Sequence, residues 1–509
     1  MLPHRILAAA FAFTILTTTA SLAAGPASPS PTPSEAQNHD AFYWLSEINK
    51  ASTVMVVETH IVPKALGKVI ADAVATVIGQ AEKDRTLRSG DYLRVEELLV
   101  QAGGQDVTRM HSGRSRQDIG ATSSRLFQRE QLLRTIGDLE TLRATMLEFA
   151  GKYPDAIVPA YTQGVQAQPI SFGHYILGYS QALERAFDRL KETYFRINMS
   201  PLGSAALGTS SFPVDRARLA ALLGFDGPIV NSLDANQLSI IDIGAEQAGV
   251  ASSIALTIGT FVSDIEAQYK LTTPWLTLTE GALTGTSSIM PQKRNPNALL
   301  GVGIAASNVL GQATGYYFKA HNVGHGYPDY KSTDPQESMR LLASTMTQLT
   351  AVIRQLNLNE RRALAEVNAD YATTTELADV LQRDANIPFR IGHHFASELV
   401  TFGRARALTP SSISYADAKR IYATSALNFG IKNAKLPLDE ATFRRSLTPQ
   451  NMVRSSLGLG GPQPNEVARM LEAQRARLED DRAWLAGRYS ALNRASEVLD
   501  AAFNGLRAQ

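Results

Sequence analysis

Residues 285–297 read GTSSIMPQKRNPN, a loop of small, hydroxyl-bearing and proline residues between stretches patterned as helices. Glycine and serine allow backbone N–H groups to point at an anion, and Lys293 follows Ser287 within reach of the same anion. A serine removes a proton only where cations and N–H donors stabilise its alkoxide. Two interpretations follow. Ser287 is a base with Lys293 folded over a bound carboxylate, or it belongs to a turn that caps the helix after Pro296.

Apolar residues recur at helical spacing on both sides of this loop. One such stripe is formed by Leu342, Met346, Leu349, Ile353 and Leu356. Spacings of three and four residues put apolar side chains on one face of a helix, whereas alternating strand patterns are scarce in this chain. The sequence therefore predicts an all-α fold in which long helices form a bundle.

The N-terminus is patterned as a targeting segment. A basic start precedes an apolar run over residues 6–22, and small residues follow it. This pattern predicts a secretory signal peptide over residues 1–24; the alternative is a retained membrane anchor. Residues 25–39, rich in proline and serine, are predicted to be a linker. Cleavage would leave a periplasmic or secreted protein without a membrane attachment.

Composition excludes several classes of function. The 49 basic and 48 acidic residues leave a formal charge of +1, so nothing in the charge balance favours nucleic-acid binding. The absence of cysteine rules out disulfides and thiolate metal sites. His321 and His325 have a spacing that binds metal on a helix, but the glycines beside them disfavour a helix. We therefore expect loop histidines near the substrate entrance and no metal.

Several stretches together identify a family. The pattern SSxMPxKxNP in the loop is the signature of the fumarase/aspartase superfamily, and the rest of the chain resembles argininosuccinate lyases. The resembling stretches are HSGRSRQD (111–118), AQPISFGHYILGY (167–179), PLGSAALGTSSFPVDR (201–216), LLGFDGPIVNSLDA (222–235) and TTTELADVLQRDANIPFR (373–390). The resemblance covers roughly residues 40–480.

The resemblance implies an architecture and a reaction. The expected fold has three helical domains, over residues 40–124, 125–372 and 373–509, and the central domain is the bundle. Four chains would form a homotetramer with a twenty-helix core, and each active site would take segments from three subunits. The implied reaction is the reversible β-elimination of an amine from a small succinyl or N-substituted aspartate substrate, with fumarate as the second product and no cofactor.

The resemblance also assigns roles to residues. Ser287 matches the family's base, and Lys293 and Asn295 match the groups that stabilise negative charge on the carboxylate. Ser115 and Arg116 match the groups that bind the substrate's carboxylates, and an arginine fork suits that task. The remaining substrate-binding candidates are Gln117, Thr162, Gln163, Tyr330 and Gln336.

The chain departs from the family at the half of the site that handles the leaving group. Gln163 stands where the family has a histidine, and Leu300 where it has the acid that holds this histidine. Gln117 replaces an asparagine, residues 238–240 lack an Asp-Arg pair, and the segment 330–339 lacks a lysine and carries one extra residue. Glutamine is not a general acid at neutral pH. A different amine, or loss of activity, would fit these changes.

The sequence is therefore consistent with three functions. The first is an argininosuccinate lyase-like carbon–nitrogen lyase. The second is a catalytically silent homologue with a binding or structural role. The third is a cycloisomerase, or another lyase of the superfamily, with a different leaving group. The intact loop at 285–297 favours an enzyme, and the changes at Gln163 and Leu300 favour the silent homologue.

Overall fold

The computed structural model describes residues 39–327 and 336–508. The predicted signal peptide, residues 1–24, and nearly all of the predicted linker lie outside the described residues. From Ala41 onward the chain forms one compact unit that is mostly helical and has a few short strands. The all-α prediction is confirmed.

The described residues contain helices and strands with the following bounds. In chain order the helices are α1 (Ala41–Glu58), α2 (Lys64–Lys83), α3 (Tyr92–Gly103), α4 (Arg116–Lys152), α5 (Phe172–Ile197), α6 (Arg216–Leu222), α7 (Ser239–Gln268), α8 (Asn297–Ala320), α9 (Gln336–Arg354), α10 (Glu360–Ala369), α11 (Thr374–Ala385), α12 (Phe389–Arg404), α13 (Tyr415–Leu427), α14 (Glu440–Ser446), α15 (Pro449–Ser455) and α16 (Pro464–Arg507). The strands are β1 (Ile157–Thr162), β2 (Val165–Ser171), β3 (Met199–Ser200), β4 (Gly227–Pro228), β5 (Leu276–Leu278), β6 (Gly285–Thr286), β7 (Arg294–Asn295) and β8 (Leu356–Leu358).

The strands pair locally into two-stranded ribbons. Three pairs are antiparallel, β1 with β2, β5 with β8, and β6 with β7, and β3 pairs with β4 in parallel. The shorter pairs connect segments between helices and do not join into a larger sheet. The β5–β8 pair, for example, ties the segment after α7 to the segment after α9.

The central bundle consists of α4, α5, α7, α8 and α9. Their inward faces carry apolar side chains that are almost completely buried, among them Leu139, Phe187, Ile258, Val302 and Met346. Burying each such side chain is worth roughly 1.5–3 kcal/mol. The helical stripe predicted from the sequence is this buried face in α9.

The bundle has two ends, and they matter for the site. The start of α7 lies beside the first turns of α4, because Arg125 donates to the carbonyl of Ser239 at 2.9 Å. The end of α7 lies beside the start of α5, because the hydroxyl of Tyr175 donates to Asp264. We call the first the α4 end. We call the second the hairpin end, because the β1–β2 hairpin directly precedes α5. The 30 residues of α7 separate them by about 45 Å at a rise of about 1.5 Å per residue.

The last helix returns to the first. Helix α16 runs for 44 residues and packs along α4, α5, α2 and α1. Its apolar residues Leu499, Phe503 and Leu506 complete the core formed by α1, α2 and α3. Lys50 on α1 also donates to Asp500 on α16 at 3.0 Å. The two termini of the described chain are therefore held together.

The described residues form three large apolar cores, one under α1–α3, one in the bundle and one within α11–α14, and a small cluster between α7 and α8. The predicted boundary at residues 124 and 125 falls inside α4, and α16 packs on the first two cores rather than on the third. The division into domains at 40–124, 125–372 and 373–509 stays a prediction.

One helical segment of the described chain, Asp234–Gln268, has the length and apolar composition of a membrane span. Half of its most apolar window is buried inside the unit. Because core helices of soluble bundles meet the same criteria, this single segment is weak support for a membrane-spanning role.

The contact between α4 and α16 buries several charges. Arg143 is fully buried and pairs with Asp481, and Arg477 donates to the same carboxylate at 3.1 Å. Glu140 lies one turn before Arg143 and is only 8% exposed, and its Oε1 atom has no hydrogen-bond partner among the described residues. Burial raises the pKa of Glu140 to about 7.

We expect Glu140→Gln to stabilise the protein above neutral pH by about 1–3 kcal/mol. The pKa of Glu140 is higher in the folded chain than its ordinary 4.5. The stability that Glu140 contributes through this raised pKa is therefore complete below about pH 4.5 and is lost as the pH rises through about 7. Urea unfolding across this range measures the effect, and Glu148→Gln on the exposed side of α4 is the control. A variant less stable than wild type at about pH 8 would contradict the expectation.

Candidate active site

The loop predicted to hold the base is a hairpin. Gly285 pairs with Asn295 and Thr286 pairs with Arg294 across β6 and β7. The next position along the two strands places Ser287 opposite Lys293, which explains why these residues are six apart. Asn295 is half-buried, whereas Lys293 is exposed at the edge of the loop. The three predicted catalytic residues are thus on one hairpin.

The hydroxyl of Ser287 receives backbone hydrogen bonds. Its Oγ atom accepts the N–H of Met290 at 3.1 Å and lies 3.4 Å from the N–H of Ile289. Donors aimed at this oxygen stabilise a negative charge on it. Ser287 therefore forms a turn within its own hairpin and does not cap the helix after Pro296, which begins without a side-chain cap. The turn supplies the donors that a serine base requires.

Gly285 lies in close contact with the first residue of α8. An added Cβ atom at Gly285 would lie 2.3 Å from the side-chain nitrogen of Asn297. At the same place Ala298 donates its N–H to the carbonyl of Leu283, and Arg294 pairs with Glu280 at 2.8 Å. These contacts anchor the loop to the start of α8.

The predicted carboxylate-binding residues lie at the start of α4. Ser115 caps the helix, and its Oγ atom accepts the N–H of Gln117 at 3.2 Å. The Arg116 side chain is exposed and has no hydrogen-bond partner among the described residues, and Gln117 is half-buried. A helix N-terminus favours anions because its N–H groups and its dipole are positive there. A serine, an arginine and a helix start together form a suitable carboxylate site.

Asp118 is a functional candidate that the sequence analysis missed. It is fully buried, and its Oδ1 atom accepts the N–H of Ser115 at 2.8 Å. Its Oδ2 atom accepts the N–H groups of Gly203 and Ala205 at 2.8 and 3.1 Å. Burial raises the pKa of Asp118 to about 6, although these N–H groups and Arg114 oppose the rise. One carboxylate therefore fixes Ser115 against a loop far away in the sequence.

We expect Asp118→Asn to destabilise the protein by about 2 kcal/mol and to weaken fumarate binding. An amide has one acceptor oxygen, so at least one of these N–H groups would face an NH₂ donor. Thermal unfolding and a fumarate titration measure the two effects. Asp379→Asn, at an exposed position of α11, is the control. An Asp118→Asn variant as stable as wild type would show that the three bonds do not hold this loop.

Thr162 and Gln163 occupy the tip of the β1–β2 hairpin. Thr162 pairs with Val165, so Gln163 and Gly164 form a two-residue turn. Their φ angles are +52° and +76°, as in the type I′ turn that fits the twist of paired strands. All four residues of the tip are exposed. Gln163 thus projects from the chain and contributes no buried contact.

The other candidates are divided between the two ends. Leu300, in the first turn of α8, is 45% exposed at the hairpin end. Gln336 begins α9 and is half-buried. The last residues of α9 lead into the β5–β8 pair, which lies at the hairpin end. Gln336, at the other end of α9, therefore lies at the α4 end. Tyr330 lies outside the described residues.

One chain does not assemble the predicted site. The catalytic hairpin and the β1–β2 tip lie at the hairpin end, whereas Ser115, Arg116 and Gln117 lie at the α4 end, roughly the length of α7 away. A cavity of about 840 Å³ opens beside α5, α7 and α8, but no predicted site residue lines it. Among residues 39–327 and 336–508, no group of three His, Asp or Glu side chains is placed to bind a metal.

Comparison with known proteins gives the family. A lyase family matches residues 59–311, and the C-terminal family of argininosuccinate lyases matches residues 371–454. The argininosuccinate lyase of Methanoculleus marisnigri is 32% identical over 412 residues, which are 79% of this chain and 80% of the relative. That of Methanocaldococcus jannaschii is 30% identical over 462 residues, which are 88% and 91% of the two chains.

Comparison with solved structures gives the same family. An EDDS lyase variant with bound fumarate superposes with a TM-score of 0.81 at 31% identity, and the alignment covers 92% of both chains. A class II fumarase from Schistosoma mansoni, 16% identical over 81% of this chain and 90% of its own, shares the fold with a TM-score of 0.63. From its sequence motifs, its relatives and its fold, the chain belongs to the argininosuccinate lyase family of the fumarase/aspartase superfamily.

Proposed function

We propose that this protein is a carbon–nitrogen lyase that releases fumarate and an amine from an N-substituted aspartate or a related succinyl compound. The observation that carries the proposal is the β6–β7 hairpin. It holds Ser287 opposite Lys293, with two backbone N–H groups directed at the serine oxygen. A silent homologue would have no need for a serine stabilised in this way.

The geometry supports the following elimination. Ser287, as an alkoxide, takes a proton from the carbon next to a carboxylate, and the resulting charge is delocalised onto that carboxylate. Lys293 and Asn295 stabilise this charge, which is the main obstacle to the reaction. The electron pair then forms the double bond of fumarate while the C–N bond breaks. The amine leaves with the electrons of that bond and takes up one proton.

We propose a homotetramer in which each active site combines both ends of the bundle from different chains. The separation of Arg116 from Ser287 within one chain supports this arrangement. So do large apolar side chains that α7 and α8 leave exposed, including Leu256 at 58%, Ile304 at 63% and Phe318 at 78%. Such side chains on adjacent bundle helices mark an interface.

We also propose that the protein is exported to the periplasm or secreted, with residues 1–24 removed as a signal peptide. The basic start, the apolar run and the small residues before position 25 support this. Sequencing the N-terminus of protein recovered from the periplasmic fraction tests the proposal. An intact Met1 in the cytosolic fraction would overturn it.

The reaction is best tested in the direction of addition. Purified mature protein is incubated with fumarate and a pooled set of amines that includes arginine, diamines and amino acids. Mass spectrometry then reveals new succinyl adducts. We expect at least one adduct with wild type and none with Ser287→Ala. The identity of the adduct names the amine.

The catalytically silent homologue is the second candidate. The exposed glutamine at position 163 and the exposed leucine at position 300 favour it, because neither is a general acid. That protein would bind fumarate, seen as a rise in melting temperature, and would form no adduct with any amine.

A further inference from the structure

Elimination of an amine, the proposed function on which this inference rests, requires a proton at the departing nitrogen unless the amine is a good leaving group. Gln163 and Leu300 cannot supply that proton. We propose that His325 delivers it. This residue lies in the loop that follows α8, at the α4 end of the bundle.

A continuous set of hydrogen bonds links the loop of His325 to the carboxylate-binding residues. The N–H of Gly326 donates to the side chain of Gln237 at 2.6 Å. The neighbouring Asn236 donates to the carbonyl of Ala205 at 2.8 Å. The N–H of Ala205 is bound by Asp118, which also holds the N–H of Ser115.

These contacts put His325 on the same structural unit as Ser115 and Arg116. Gln237 and Asn236 are both buried, in the π-helical turn Asp234–Leu238 that leads into α7. The loop is therefore attached to a buried part of the chain. The imidazole itself is exposed and is free to meet a ligand bound at the start of α4.

Two other titratable groups close to Ser115 in the sequence are unsuited to the task. His111 is stacked on Tyr92, and burial together with Arg114 lowers its pKa to about 4, so it carries no extra proton at neutral pH. Both oxygens of Asp118 already accept backbone N–H groups. Histidine is the side chain that ordinarily exchanges a proton near neutral pH.

Several charged side chains lie around this end of the bundle. Asp234 and Asp242 lie at the start of α7, and both act on the buried Arg125. Arg216 lies beside the loop that Asp118 holds. Lys319 and His321 precede the loop, and Arg116 begins α4.

The proton transfer balances as follows. Ser287 of one chain takes the carbon proton, and the C–N bond breaks. The electron pair of that bond stays on nitrogen, and the imidazolium of His325 on another chain gives its proton to that nitrogen. The serine hydroxyl and the neutral imidazole then exchange protons with water and return to their starting states. Base and acid thus approach the substrate from two different polypeptides.

The test compares His325→Gln with His321→Gln, in the full chain, with the amine identified in the adduct screen. We expect His325→Gln to lower kcat about a hundredfold or more while the KM for fumarate changes less than about twofold. The limb of the pH profile of kcat that reports the proton donor should disappear. The His321→Gln control should match wild type in all three quantities.

Chemical rescue separates a proton donor from a structural residue. Free imidazole should restore activity to His325→Ala and leave His321→Ala unchanged. If wild type forms adducts and His325→Gln keeps its rate and its pH limb, the assignment of His325 is wrong and the lyase function stands. If wild type forms no adduct with any amine, the lyase function fails and the assignment fails with it.

Discussion

Replacing Ser287 by alanine is expected to lower the rate of adduct formation by at least about a thousandfold, equivalent to about 4 kcal/mol of transition-state stabilisation. The side chain is held by the turn of its own hairpin rather than by distant packing. Removing the hydroxyl therefore deletes the base and leaves Lys293 and Asn295 in place. The affinity for fumarate and the melting temperature should change little.

Ser288→Ala is the matched control, because this neighbouring hydroxyl is exposed. It should retain most of the wild-type rate. Initial rates measured by mass spectrometry, together with a fumarate titration, distinguish loss of chemistry from loss of binding. A Ser287→Ala variant that retains more than about a tenth of the rate would remove Ser287 from the mechanism.

Mixing two inactive variants, Ser287→Ala and Arg116→Ala, is expected to restore activity. The two residues lie at opposite ends of the bundle, so in the proposed tetramer each site takes them from different chains. If equal amounts are refolded together, about a quarter of the sites receive an intact hairpin and an intact α4 start. The mixture should recover about a quarter of the wild-type rate.

Mixing Ser287→Ala with Lys293→Ala provides the control. Both changes fall on one hairpin, so no site in any mixed tetramer contains an intact loop, and no activity should return. Chains carrying different tags allow the mixed species to be isolated and assayed. Mixed tetramers of the first pair that stay inactive would show that each site takes both residues from a single chain.

The helical fold could be predicted because its signal is local and repeated. The stripe from Leu342 to Ile353 lies on the buried face of α9. Leu356 continues the stripe in the sequence but belongs to β8, since α9 ends at Arg354. Periodicity identifies the buried face of an element. It does not reveal where backbone pairing with another segment replaces the helix.

The site could be predicted only in part. The spacing of Ser287 and Lys293 reflects the register of a hairpin. The motif contains this spacing, but the hairpin cannot be deduced from the motif alone. Asp118 was missed because its partners, Gly203 and Ala205, are more than eighty residues away. The β1–β2 hairpin was missed because Pro159 interrupts its pattern. Gly164 was the available signal, since glycine readily adopts the positive φ angle that a tight hairpin turn requires.

The return of α16 to the first helices has a consequence for biogenesis. Leu499 and Phe503 complete the core around α1, and Asp500 contacts Lys50 across 450 positions of the chain. That core is complete only when residues near the end of the polypeptide are available. We therefore expect the N-terminal helices to stay incompletely folded through most of translation. Transport machinery that handles only unfolded chains would have that entire interval in which to engage the nascent protein.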